Sequence, residues 1–125
     1  MQITLDTNTL IRFFTRDIEA KAQKVKKLLD SNNNLFIPDV VFPELEYILS
    51  NGYNIDRTAT LKFFKFLTSK NNIKSSKEAK RAVEIFSVSK FDMADCIIAA
   101  SSFKGSLASF DKKLLQVADI TPFWK

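Results

Sequence analysis

Four acidic residues, Asp6, Glu44, Asp95 and Asp111, each stand where a hydrophobic run gives way to the start of a helix. The segments are ITLDTNTLI, FPELEYIL, FDMADCIIAA and LASFDKKLL. In a parallel α/β sheet such junctions gather beyond the carboxyl ends of the strands, where these folds place their sites. Carboxylates gathered on one edge repel one another strongly unless a cation lies between them. Hard ions such as Mg²⁺ and Mn²⁺ take carboxylate oxygen, retain waters and need few protein ligands. Asp6 and Asp95 are the best direct ligands on this reading. Glu44 and Asp111 are placed to ligate, to orient a water or to bind a second ion, so one or two ions are expected. Thr7, Asn8 and Ser109 are polar neighbours able to hold carboxylates or phosphate through hydrogen bonds.

Taken one at a time, these acids have ordinary structural uses. Asp6 and Asp111 suit N-caps, which accept bonds from the free amides of a first helical turn. Asp92 and Asp95 form a D-x-x-D pair that caps a helix and complements its dipole. Glu44 follows Pro43, a good residue for a first turn, and also complements a helix dipole there. Only their joint occurrence shifts the balance toward a site. Asp92 is read chiefly as a cap, with a lesser share in the site. Cys96, beside Asp95, reads as a small buried residue facing the sheet.

The absences are informative. The chain has no histidine, so it has no Ser-His-Asp triad, no Cys-His pair and no histidine acid/base pair. Zinc is disfavoured for want of its usual sulfur and imidazole ligands. Two glycines leave room for neither a P-loop nor a GxGxxG turn. The 125 residues carry 19 Lys and Arg against 14 Asp and Glu, a net +5. Setting the four candidate acids aside leaves 10 acids against the 19 basic residues, a balance of +9. A basic surface around an acidic pocket suits a polyanion held by its phosphates, although a lysine-rich solubilising surface has the same composition.

The elements that must position these residues follow from pattern. One domain spanning 1–125 is expected, long enough to bury roughly two-thirds of the surface its unfolded chain exposes. Gln2–Asp6 reads as a strand, Leu10–Phe14 as a short helix, Ile18–Leu29 as a helix and Leu35–Ile37 as a strand. The next helix should run to about Ser50 and stop at Asn51-Gly52. Helices are expected over Arg57–Lys70, Lys77–Val88 and Asp92–Phe103, and a short one over Asp111–Val117. Short strands are expected at Asn71–Lys74, Ser106–Phe110 and Asp119–Thr121. Alternating strands and helices without tight hairpins mean a parallel α/β sheet. In Arg57–Lys70 the apolar residues Leu61, Phe63, Phe64, Phe66 and Leu67 spread over roughly 220° of arc at ~100° per residue, about twice what one sheet face needs. That excess calls for a second burial surface, either a partner or neighbouring helices of the same chain. No apolar run approaches the ~18–20 residues of a bilayer span, and no signal peptide fits ahead of QITLD, so no membrane contact is expected. The lone cysteine suits a reducing cytoplasm.

In order and spacing, LDTNTLI, FPELEYIL, DMADCIIAA and SLASFDKKLL resemble the PIN-domain family, and most closely the VapC-type ribonuclease toxins of prokaryotic toxin–antitoxin modules. The resemblance implies a three-layer α/β/α sandwich with a short, mostly parallel central sheet. It implies Asp6, Glu44, Asp95 and Asp111 as the acidic quartet, with Ser109 as polar helper. It also implies an RNA substrate, a homodimer and a cognate antitoxin laid across the active-site groove. Glu46 and Asp92 are further acids near the quartet. The expected chemistry is metal-assisted hydrolysis of a phosphodiester, leaving 5′-phosphate and 3′-hydroxyl ends. Arg12 and Arg16 are candidate phosphate-positioning residues. Two other readings use the same residues: a non-catalytic RNA-binding or assembly module that keeps the acids as caps, and an aspartyl-phosphate chemistry at Asp6. The second of these lacks an acid where Asn8 stands.

Overall fold

A computed structural model describes residues 1–124. Two compact units, Met1–Ser76 and Lys77–Lys125, make up the chain. In the first, β1 (Gln2–Thr4) leads to α1 (Thr7–Thr15) and α2 (Glu19–Leu29), followed by β2 (Asn34–Phe36), α3 (Val41–Tyr53), α4 (Arg57–Ser69) and β3 (Ile73–Lys74). In the second, α5 (Lys77–Val88) and α6 (Met93–Ser101) precede a 3₁₀ turn at Leu114–Gln116. The architecture is therefore α/β, with six helices among the described residues and a short parallel sheet.

The sheet of the first unit has the order β1-β2-β3, both pairs parallel, with Ile3 opposite Leu35 and Leu35 opposite Ile73. Its ladder extends one residue past each strand, as Leu5 donates to the Phe36 carbonyl and Ile37 to that of Lys74. Leu5, Leu35, Ile37 and Ile73 are buried, and Phe42 meets Phe64 edge-on with ring centroids 5.5 Å apart. Asn72 fixes the approach to β2 by donating from Nδ2 to the carbonyls of Leu29, Ser31 and Asn33. The sheet's edge-to-edge register thus rests on backbone bonds and one amide side chain, while its faces rest on aliphatic burial.

Three expectations need correction. The third helix does not stop at Asn51-Gly52. It continues through Gly52 to Tyr53 and closes on Asn54, whose φ of 54° is the left-handed geometry of a helix end. Asparagine tolerates that geometry, so it served as the terminator that glycine was expected to be. The strands expected at Ser106–Phe110 and Asp119–Thr121 reduce, among the described residues, to one parallel bridge between Leu107 and Pro122. Proline offers no amide to a ladder, so pairing cannot extend evenly through residue 122. The helix expected over Asp111–Val117 is only the 3₁₀ turn.

The broad apolar arc of α4 is partly met within the first unit. Phe14 of α1 stacks on Phe63 at 4.1 Å between centroids, and Phe13 lies over Phe66 at 5.8 Å. Phe66 nevertheless stays 38% exposed. In the second unit α5 packs on α6 through Ala79, Ala82, Val83 and Phe86 on one side and Met93, Cys96, Ala99 and Ala100 on the other, all buried. Small residues on both helices allow close approach. Among the described residues no helix is long and apolar enough to cross a membrane.

Candidate active site

In the first unit, Asp6 follows the last ladder bond of β1 and caps α1, its Oδ1 accepting from the Thr9 amide at 2.9 Å. That bond, helped by the Thr9 side chain, holds the Asp6 carboxyl below its ordinary pKa because it favours the charged form. The next residue, Thr7, is almost fully buried and donates its hydroxyl to Glu44 Oε1 at 2.5 Å. Glu44 lies in the first turn of α3, so this one hydroxyl ties the start of α1 to the start of α3. A charge-assisted bond of this length fixes the carboxylate as well as satisfying it. Glu46, two residues on, sits 3.9 Å from Arg57 Nη1.

Asn8 and Asp6 border a small cavity of about 230 Å³ that is also lined by Thr9, Arg12, Lys21 and Lys24. Three cations thus stand around a strand-end carboxylate. Arg12 is held rigidly there. Its Nη1 donates to Asp17 Oδ2 at 2.6 Å, the Tyr53 hydroxyl donates to the same oxygen at 2.8 Å, and Thr15 donates to Oδ1. Asp17 raises the Arg12 pKa, while the Tyr53 hydroxyl and Arg12 hold Asp17 below the usual carboxylate range. The buried Nε of Arg12 has no hydrogen-bond partner. Arg16, by contrast, is turned to Glu19 at 2.5 Å and does not line the cavity.

Asp39 is an acid passed over in the sequence. It stands after Ile37-Pro38 beyond β2, much as Asp6 follows Leu5 beyond β1, and its Oδ1 accepts from Ser76 at 2.6 Å. The signal that could have found it is this repeated strand-then-Asp order. Pro38 masked it by reading only as a strand stop.

In the second unit Asp92 caps α6, accepting the Asp95 amide on Oδ1 at 2.8 Å. Asp95 is half-buried in the first turn of that helix. Burial raises its pKa, and the charges of Asp92 and Asp111 raise it further. Asp111 Oδ1 accepts from the amides of Lys113 and Leu114, and the Asp111 amide donates to Ser109 Oγ at 3.0 Å. Ser109 therefore supports the backbone that carries Asp111. Three carboxylates of this unit feel one another, and Asp95 bears the cost.

The donor chemistry suits a hard cation, since every candidate ligand is a carboxylate. Among the described residues no group of three or more His, Cys, Asp or Glu side chains is close enough to hold a metal ion. Zinc, which wants a closed set of ligands, is a poor match on both counts. Mg²⁺ and Mn²⁺ fit better, because such ions bind through one or two carboxylates and keep waters in the remaining positions. Capping does not exclude this role. A carboxylate has about four lone-pair sites, and each cap bond to Asp6 or Asp111 engages only Oδ1.

The family model for the PIN domain matches residues 3–120, nearly the whole chain. No curated protein matches the chain.

Proposed function

Because the chain belongs to the PIN-domain family, whose members are in general metal-dependent nucleases, we propose that it is a metal-dependent endoribonuclease acting as one domain over 1–125. The match over residues 3–120 carries this reading, and Asp95, a half-buried carboxyl whose ionisation Asp92 and Asp111 oppose, is consistent with it. An arrangement that is unfavourable for the protein alone becomes favourable beside a divalent cation. Asp6, Glu44, Asp95 and Asp111 would hold one or two Mg²⁺ or Mn²⁺ ions. When bound, such an ion supplies Lewis acidity and lowers the pKa of a water to near neutrality.

The remaining work falls to the side chains. Thr7 keeps Glu44 in one orientation, Ser109 and the amides of residues 113 and 114 keep Asp111 in one, and Asp92 anchors the turn that presents Asp95. Arg12, Lys21 and Lys24 take a backbone phosphate in the cavity beside Asp6, with Asn8 at its rim. The bond broken is that between phosphorus and the 3′ oxygen, so the products carry 5′-phosphate and 3′-hydroxyl ends.

The motifs that resemble VapC-type toxins support a finer reading, in which the protein is the cytoplasmic toxin of a toxin–antitoxin pair, held in check by a cognate antitoxin. The half-exposed rings of Phe13, Phe14, Phe63 and Phe66 support a homodimer through α1 and α4. Incubating the purified protein with total RNA in Mg²⁺, in Mn²⁺ and in EDTA tests the central claim, with Asp6→Asn and Asp95→Asn as controls. Discrete cuts bearing 5′-phosphate ends, absent with chelator and with either variant, are the expected result. RNA that is bound but never cut would instead support a binding module of the same fold.

A further inference from the structure

Phe110, the residue before Asp111, is 87% exposed, and two more large rings beside it, Phe123 and Trp124, are 59% and 51% exposed. They are not scattered. The Phe110 and Trp124 rings lie 4.8 Å apart and within 6° of parallel, and Phe123 meets Trp124 edge-on at 5.5 Å. The pile is built by the backbone. Leu107 donates to the Thr121 carbonyl at 2.8 Å and accepts from the Phe123 amide at 2.9 Å, which pins residues 121–124 alongside 107–110. Leu107 itself is buried and anchors that bridge.

A cluster of three exposed aromatic rings is costly to leave in water, and such patches mark binding surfaces. We propose that Phe110 and Trp124 form a stacking platform for an unpaired base of an RNA strand, with Phe123 bracing Trp124. The proposal rests on the ribonuclease reading and adds a base subsite to it. Near-parallel rings with exposed faces continue naturally into a nucleobase, which stacks with little regard to sequence. The charges agree, because exposed Lys112 and Lys113 follow Asp111 and suit the phosphates on either side of a stacked base.

Trp124 is the only tryptophan in the chain, so its fluorescence reports this surface alone. The experiment titrates the full protein, in EDTA to prevent cleavage, with short unstructured oligoadenylate and with an abasic oligomer of the same length. Fluorescence anisotropy of end-labelled oligomer gives affinity independently. Saturable quenching by oligoadenylate but not by the abasic strand is expected. Phe110→Ala and Phe110→Leu should weaken oligoadenylate binding about tenfold, while Phe110→Tyr retains it. The Tyr and Leu pair separates loss of a ring face from loss of fold. Oligoadenylate that binds without changing Trp124 emission, or with equal affinity after Phe110→Leu, overturns the platform and leaves the nuclease reading standing. Absence of any RNA binding overturns both. Self-association abolished by Phe110→Leu in that case would assign the rings to a second copy of the chain.

Discussion

Asp6 in the first unit and Asp95 in the second are treated in opposite ways. In Met1–Ser76 each candidate acid has been given donors: Asp6 has the Thr9 amide and Glu44 has the buried Thr7 hydroxyl. In Lys77–Lys125, Asp95 has been given burial and two like charges. Asp6 is stabilised as an anion by its cap bond, whereas Asp95 is half-buried beside Asp92 and Asp111, which oppose its ionisation. A protein interested only in stability would not keep the second arrangement, since replacing a repelling carboxylate is an easy way to gain stability. A carboxyl perturbed in this way is a candidate for a functional site.

The largest effect should come from removing charge on either side. Asp6→Asn and Asp95→Asn are each expected to lower the initial rate of RNA cleavage at saturating Mg²⁺ by about 100-fold or more. Their effects on the metal-free fold should differ. Asn caps helices nearly as well as Asp but loses the ionised form's extra stabilisation, so Asp6→Asn should lower the urea midpoint slightly at neutral pH, whereas Asp95→Asn should raise it. An Asp95→Asn protein that is less stable than the parent would break the comparison.

The hydroxyl of Thr7 tests the other unit. Thr7→Val conserves shape but removes the hydroxyl that holds Glu44, and because Glu44 is exposed to water the cost should be about 0.5–1.5 kcal/mol of stability. Cleavage should fall by about 10–100-fold, the usual cost of losing a group that orients a ligand. Thr7→Ser should restore most of both. A Thr7→Val enzyme of full activity would mean that the orientation of Glu44 is immaterial to the reaction.

How much of this was legible in the sequence depends on what carried each feature. The helices at Arg57–Ser69 and Met93–Ser101 were readable because apolar spacing and Asp caps agree there, and Lys77–Val88 was readable from apolar spacing alone. Strand existence was legible for β1 and β2, where β-branched or apolar runs end at Asp6 and Pro38. The last two strands were not, because an apolar run such as Ser106–Phe110 carries no sign of whether a partner will pair with it. The candidate acids were found through their places at the starts of helices, which are local signals. The bond from Thr7 to Glu44 spans 37 residues and left no mark on either segment beyond a threonine after an aspartate. The exposure of Phe110 was equally hidden, since a phenylalanine reads as core until the fold turns it outward.

The finest test is the pH dependence of stability in the metal-free protein, where the two acids should act with opposite signs. Asp6 has a folded pKa below its ordinary value of 3.8. Its contribution is present above that value and is lost as pH falls through the folded pKa. Asp95 has a folded pKa above 3.8, so its contribution is greatest below 3.8 and is lost as pH rises through the folded pKa. Urea unfolding of the parent, Asp6→Asn and Asp95→Asn across this acidic range isolates the two, because asparagine does not titrate. The difference between parent and Asp6→Asn should grow with rising pH, and that between parent and Asp95→Asn should shrink and then reverse. Mg²⁺ added at neutral pH should cancel the reversal for Asp95, since a bound cation offsets the repulsion from Asp92 and Asp111. Two differences of the same sign would mean that both units stabilise their acids alike, and the contrast between them would have to be given up.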